Sequence, residues 1–347
     1  MLYCGLDIAS PSSYVFITDR QGRRIASGEV ATDRVALTQR LRPHLRGGLS
    51  IAIEAGNQSA WIYNLLKDLG ATVTVVNPRK LRAIAESRRK TDRVDAQTLC
   101  ELLRLDGLPE PVHMPSREAR ALRGLLVARR QLIGARTRLC NTVRGMLRQE
   151  GISLPMRGLN TCVAWKRLLA AGYEAEQLPV ILAAYFESFK TLTTSINAIN
   201  RELAEYEGRD PRSAVLQTMP KVGRIASLTL LAAVDDIQRF PNSRKLIGYS
   251  GLAPTVRSSG ERTQYGSISR EGRSELRAVW VQIAHLVAAD KKPSSAPLRR
   301  WYNQIAKRRG KRTAVVALAR RLLTIAYHLL REQKPYDPDR LRRKRAA

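Results

Sequence analysis

The chain has 347 residues, with 60 Lys and Arg against 30 Asp and Glu, a formal net charge of +30 and a pI near 10.9. Of the 60 basic residues 47 are Arg and 13 Lys, a surplus that points to a polyanionic partner, because the guanidinium forks onto phosphates and base edges. At 44% hydrophobic the sequence is too apolar for a disordered basic tail, and at 5% aromatic it is too poor in rings to be chiefly a base-stacking platform.

The length allows two or three domains. No run approaches the roughly 20 apolar residues of a membrane span, and the start does not read as a signal peptide. A cytoplasmic, prokaryotic protein without a membrane partner is expected. Cys4, Cys100, Cys140 and Cys162 lack metal-ligand spacing and read as core residues. His44, His113, His285 and His328 are scattered, with no partners for a triad or ligand set.

Leu2 to Ala9 is an apolar strand that carries one acid, Asp7. Tyr14 to Thr18 and Arg24 to Thr32 alternate like two further strands joined by Asp19-Arg20-Gln21-Gly22. A helix from Asp33 to Leu41 precedes a second buried strand, Leu49 to Glu54, which ends in an acid. The helix Trp61 to Leu69, the strand Thr72 to Val76 and a helix start at Asn77-Pro78 follow. In Lys90-Thr91-Asp92-Arg93-Val94-Asp95 two carboxylates stand three residues apart, on one face if the segment is helical.

An acid inside a buried strand is costly unless satisfied. Singly, each of the four acids reads as a cap, a turn residue or an arginine partner, with Arg88, Arg89, Lys90 and Arg93 at hand for the last pair. As a set, Asp7, Glu54, Asp92 and Asp95 at one sheet edge would make an oxygen site for one or two Mg²⁺ ions, with Mn²⁺ as a substitute.

Gly5-Leu6-Asp7-Ile8-Ala9, Ile53-Glu54-Ala55-Gly56, Val76-Asn77-Pro78 and Lys90-Thr91-Asp92-Arg93-Val94-Asp95-Ala96 resemble the signature of the DEDD transposases. That family includes the Piv-type invertases and forms the bridge-RNA-guided recombinase class of insertion sequences. The resemblance implies a RuvC-like, RNase H-type α/β fold for residues 1–108, with the four acids as catalytic metal ligands. The element after Glu54 is altered to Gly56-Asn57-Gln58, which leaves the acid untouched.

Pro109, Pro111 and Pro115 break the chain, and residues 109–215 read as a helical connector. From Ser116, a plausible N-cap, apolar pairs recur every seven residues at Leu125/Leu126, Leu132/Ile133, Leu139/Cys140 and Met146/Leu147. After a Gly/Pro-broken stretch and a short helix from Thr161 to Ala170, an a/d seam runs from Leu178 through Leu182, Tyr185, Phe189, Leu192, Ile196, Ile199 and Leu203 to Tyr206. An intrachain antiparallel hairpin and a dimeric coiled coil both satisfy it; the resemblance favours a seam that helps assemble protomers. Arg129, Arg130, Arg136, Arg138, Arg144 and Arg148, almost without acids, suggest a helix lying along a nucleic-acid backbone.

In residues 216–335, Met219-Pro220-Lys221-Val222-Gly223 before the helix Ile225 to Val234 resembles a helix-hairpin-helix turn, with Lys221 and Gly223 at a phosphate; plain helix packing is the alternative. Residues 248–272 read as a polar, glycine-punctuated loop with Arg257, Arg262 and Arg270 near several hydroxyls. Serines there are ordinarily turn hydrogen-bonders. Leu252-Ala253-Pro254, Ser259-Gly260 and Gly266-Ser267-Ile268-Ser269-Arg270-Glu271-Gly272 resemble the C-terminal motif of the same family, whose catalytic serine falls on Ser259, with Ser258 one position off as its rival. Three helices (Glu275 to Ala288, Leu298 to Lys307, Arg312 to Arg331) and a basic tail, residues 336–347, complete the chain.

The resemblance implies a transposase that joins DNA through a 5′-phosphoserine. Its partners would be donor and target double-stranded DNA, a pairing bridge RNA, and further copies of itself, a dimer assembling to a tetramer in which one protomer's serine serves another's acids. The competing readings are a RuvC-like nuclease or junction resolvase using activated water, and a non-catalytic nucleic-acid-binding protein.

Overall fold

A computed structural model describes all residues except 83–90, 156–157, 172, 174–176, 260–261 and 340–347, and gives the backbone alone for Arg82 and for residues 256–259, 262–263 and 265. The chain divides into two compact units, Met1–Pro115 and Ser116–Ala347.

The first unit is built on a sheet of β1 (Leu2–Asp7), β2 (Ser12–Thr18), β3 (Arg24–Ala31), β4 (Leu49–Glu54) and β5 (Thr72–Val76), with α1 (Arg34–Leu41), α2 (Ser59–Asp68), α3 (Pro78–Arg82) and α4 (Asp92–Arg104). The strand order is β3-β2-β1-β4-β5. The hairpin-linked strands pair antiparallel and the crossover strands parallel. Capping fixes the helix starts: Asp33 accepts from the amides of Val35 and Ala36, and Thr91 from that of Val94.

Side chains alternate across the sheet. Cys4, Leu6, Ile51 and Ile53 enter the core shared with Leu37, Leu41, Ile62 and Leu66, whereas Ala52 packs with Leu99. The opposite face of β1 is covered by α4. A Cβ on Gly5 would lie 1.9 Å from the Ala96 carbonyl oxygen, so glycine is what lets helix and strand touch backbone to backbone. Cys100 seals this contact, its Sγ 3.2 Å from the carbonyl of Tyr3 and 3.3 Å from Thr18 Oγ1.

The second unit holds α5 (Arg117–Gln149), α6 (Cys162–Leu169), α7 (Leu178–Arg209), α8 (Pro211–Gln217), α9 (Arg224–Val234), α10 (Ser243–Tyr249), the hairpin β6 (Pro254–Ser259) and β7 (Arg262–Ile268), then α11 (Ser274–Ala289), α12 (Ala296–Arg309) and α13 (Lys311–Glu332). The α5 and α7 helices, each about 50 Å long by the helical rise, pair antiparallel within the chain: Arg129 meets Asn200, and Arg136, seven residues on, meets Thr193, seven residues back. Of the predicted seam, Leu178, Leu182, Phe189, Ile196 and Leu203 are buried. The far end of the hairpin has its own core, where Trp165 packs against Phe186 and Phe189 with ring centroids 5.8 and 5.4 Å away.

Two readings change. Residues 109–215 do not stand apart as a connector. The amide of Val112 donates to the Val75 carbonyl at 2.7 Å, tying 109–115 to the sheet, while Leu122 and Leu203 join the core that holds α9, α11 and α13. The glycine-rich stretch 248–272 begins at the end of α10 and forms a two-stranded hairpin rather than a loop. In addition, α13 is long and apolar enough to cross a membrane, yet Leu318, Leu322, Leu323 and Ala326 on it are fully buried in this core. The basic tail expected at 340–345 lies outside the described residues.

Candidate functional site

Register and alternation position the four acids. Leu6 pairs with Ile53, so Asp7 and Glu54 end adjacent parallel strands. Asp7 shares the face of Tyr3 and Gly5, and Glu54 that of Ala52, which is the face α4 covers. Cys100 lies at Tyr3 and Ala96 at Gly5, so α4 runs opposite to β1 and its first turn, with Asp92 and Asp95, comes toward the Asp7 end. Asp95 is half-buried and Asp92 exposed. Both acids also sit where the helix dipole favours negative charge.

The backbone thus gathers two strand-end acids and two helix-start acids at one edge. Among the described residues, however, no group of three or more His, Cys, Asp and Glu side chains stands close enough to hold a metal ion. The all-oxygen donor set suits a hard divalent cation. Arg88, Arg89 and Lys90 lie outside the described residues.

In the second unit, Ser259 ends β6 opposite Arg262, with Ser258 opposite Thr263 and Arg257 opposite Gln264. The side chains of Arg257, Ser258, Ser259 and Arg262 lie outside the described residues. The base of the hairpin is well defined. The amides of Ser269, Arg270 and Arg273 donate to the carbonyls of Ala253, Gly251 and Tyr249. A Cβ on Gly272 would meet the Tyr249 carbonyl at 2.5 Å and the Gly251 amide at 2.8 Å. Arg270 itself is exposed, with a left-handed φ of 57°.

Beneath this base lies a cluster no motif announced. Arg273 Nε donates to the Tyr249 hydroxyl at 3.1 Å, and Arg239 lies over the rings of Phe240 and Tyr249. Burial pushes the Tyr249 phenol up, but the guanidiniums of Arg273, Arg239 and Arg123 together hold it below its ordinary value. Arg123 and Arg239 also cap the last carbonyls of α9.

The other predicted contacts are placed as follows. Arg129 donates to Asn200 at 2.7 Å, and Arg136 to Thr193 while lying over Phe189, so both turn toward α7. Lys221, with φ of 64°, pairs with Asp290 at 3.1 Å. Gly223 is the N-cap residue of α9, with no side-chain cap bond.

A family model described as "Transposase" matches residues 4–151, and one described as "Transposase IS116/IS110/IS902 family" matches residues 213–299. The chain is 26% identical to a probable family 20 transposase of Pseudomonas aeruginosa over 96% of itself and 98% of that protein. It is likewise 26% identical to the transposase for insertion sequence element IS1111A of Coxiella burnetii, over 96% and 90%. A pilin gene-inverting protein of Moraxella bovis is 27% identical over 76% of this chain and 74% of its own length. The matched segments contain the four acids and both serines.

Proposed function

Because the chain belongs to the IS116/IS110/IS902 family of insertion-sequence transposases, we propose that it cuts and rejoins DNA through a covalent serine link at a carboxylate-lined metal site. The observation that carries this reading is the register that sets Asp7, Glu54 and the first turn of α4 toward the same end of the sheet. We read that sheet, with its order β3-β2-β1-β4-β5, as RuvC-like.

Asp7, Glu54, Asp92 and Asp95 would hold Mg²⁺, or Mn²⁺ in its place. When bound, the ion supplies Lewis-acid polarisation of a scissile phosphodiester and stabilises charge on its leaving oxygen. Ser259 Oγ attacks phosphorus; a 5′-phosphoserine bond forms, the bond to the 3′ oxygen breaks, and the proton lost by the serine is balanced by one gained at the 3′ hydroxyl. Attack of a partner strand's 3′ hydroxyl on the phosphoserine reverses the step and restores the serine without ATP. Arg257, Arg262 and Arg270, close in sequence to Ser259, would offset phosphate charge.

A non-coding bridge RNA pairing with donor and target DNA would supply sequence choice, and protomers would assemble from dimer to tetramer for strand exchange. The +30 charge suits two polyanionic partners. Action on DNA within a prokaryotic cytoplasm follows from the same reading.

Wild-type protein with a nicked DNA substrate should give a denaturant-resistant protein–DNA adduct, absent in Ser259→Ala. An adduct lost only in Ser258→Ala moves the nucleophile by one residue. Cleavage without any adduct assigns the attack to water. Asp7→Asn should reduce cleavage roughly a thousandfold or more while DNA binding persists; undiminished cleavage removes the acids from the reaction.

A further inference from the structure

We propose that the groove between α5, α9 and α11 receives a single unpaired nucleotide, its base in the apolar channel and its phosphate on the arginine rim. The cavity measures about 320 Å³, at the low end of the roughly 300–1,000 Å³ of small-molecule sites. Leu126 and Ile133 from α5, Ile225 from α9 and Val279 from α11 give it aliphatic walls. Around them stand Arg123, Arg129, Arg130 and Arg273 against one acid, Glu275: four positive charges less one negative leaves +3.

That combination selects its occupant. An apolar slot admits a flat body with little charge of its own, and the rim rejects cations and favours an anion attached to that body. A nucleobase joined to its phosphodiester has both properties. Each guanidinium has donors to spare beyond its contacts within the fold, since five N–H groups are available per arginine. Arg129 uses Nε on Asn200, Arg273 uses Nε on Tyr249, and Arg130 sets one terminal nitrogen 3.5 Å from Glu275. Arg123 and Arg129 are held below the ordinary guanidinium value, by burial first and then by the neighbouring guanidiniums of Arg273 and Arg136 respectively.

Strand exchange opens duplexes and leaves bases without partners, so an enzyme of this class meets extrahelical nucleotides as it works. The proposal rests on the reading of the chain as acting on nucleic acid, and uses neither the serine nor the four acids. Both DNA and RNA carry the chemistry.

The test titrates the full chain with duplexes carrying one unpaired 2-aminopurine nucleotide and with fully paired controls, in DNA and RNA versions, reading affinity and 2-aminopurine fluorescence. The bulged duplex should bind about tenfold tighter than its control, with a fluorescence change on binding. Ala278→Trp, an exposed substitution on the α11 wall, should bring that ratio to one. Gln282→Phe, one turn along and also exposed, repeats the block with a second side chain. A preference confined to DNA, confined to RNA, or shared identifies the source of the nucleotide. Equal wild-type affinity for bulged and paired duplexes, or a preference that survives both substitutions, overturns the proposal. Failure to bind either duplex removes instead the nucleic-acid reading beneath it.

Discussion

Asp7 and Glu54 stand on neighbouring strands inside a five-stranded sheet, whereas Ser258 and Ser259 stand on one strand of a hairpin that, among the described residues, has no third strand beside it. The acids inherit their place from a ladder fixed along every strand, and their helix is seated on β1 by Gly5. Two strands alone are marginal in water, so the hairpin depends on what its base is fastened to. There the fastening is Gly251, Gly272, Arg273 and Arg277 against the end of α10. The contrast separates two ways of positioning chemistry, by pairing along an element and by anchoring one end of it.

Substitutions on the two sides sharpen that contrast. The largest effect is expected from Gly5→Val, because the obstacle is the backbone of α4. Unfolding of the full chain in urea should show at least about 3 kcal/mol lost; wild-type stability would mean that α4 is not seated on β1. Gly272→Ala presses a methyl group onto the Tyr249 carbonyl and should cost about 2 kcal/mol while lowering adduct yield more than DNA binding. If yield and binding fall together, the base does not position the hairpin. Ser116→Ala removes the α5 cap and the 2.7 Å bond from its hydroxyl to Asp235, worth about 1–2 kcal/mol in the same measurement.

The smallest effect is a pH dependence at Asp290. The Ser295 hydroxyl and the Lys221 ammonium hold its carboxyl below the usual range. A lowered carboxylate pKa stabilises the fold above the ordinary carboxylate range, and the contribution is lost as pH falls through the lowered value. Below about pH 4 the melting temperature of Asp290→Asn should therefore fall less steeply than that of wild type. Parallel curves would deny Asp290 this part.

The sheet was legible in the sequence because its signals are local. Apolar runs end in acids, Asp33, Thr91 and Ser116 cap helices, and the strand boundaries read from the residues agree with β1 to β5 within two or three positions. The hairpin at 254–268 was not, since its six and seven residues are rich in Ser, Arg and Thr, and its strand character comes from pairing with each other. The helices α8 and α10, seven residues each, are too short to show a period. For Arg129 and Arg136, charge alone pointed outward to a nucleic-acid backbone and did not reveal the direction the side chains take. Both fall on the stripe that faces α7, where their stems pack and their heads find Asn200 and Thr193. The arginine-rimmed groove left no signature because its walls come from three helices far apart in the chain.

A main-chain oxygen resting where a methyl group would otherwise be leaves α4 and β1 no freedom to slide past each other. A cation that drew Asp92 and Asp95 toward Asp7 and Glu54, as proposed, would therefore act through rotatable side-chain bonds. On the proposed reading, closing the quartet would be a matter of side-chain torsion angles, which in exposed residues turn over in picoseconds to nanoseconds.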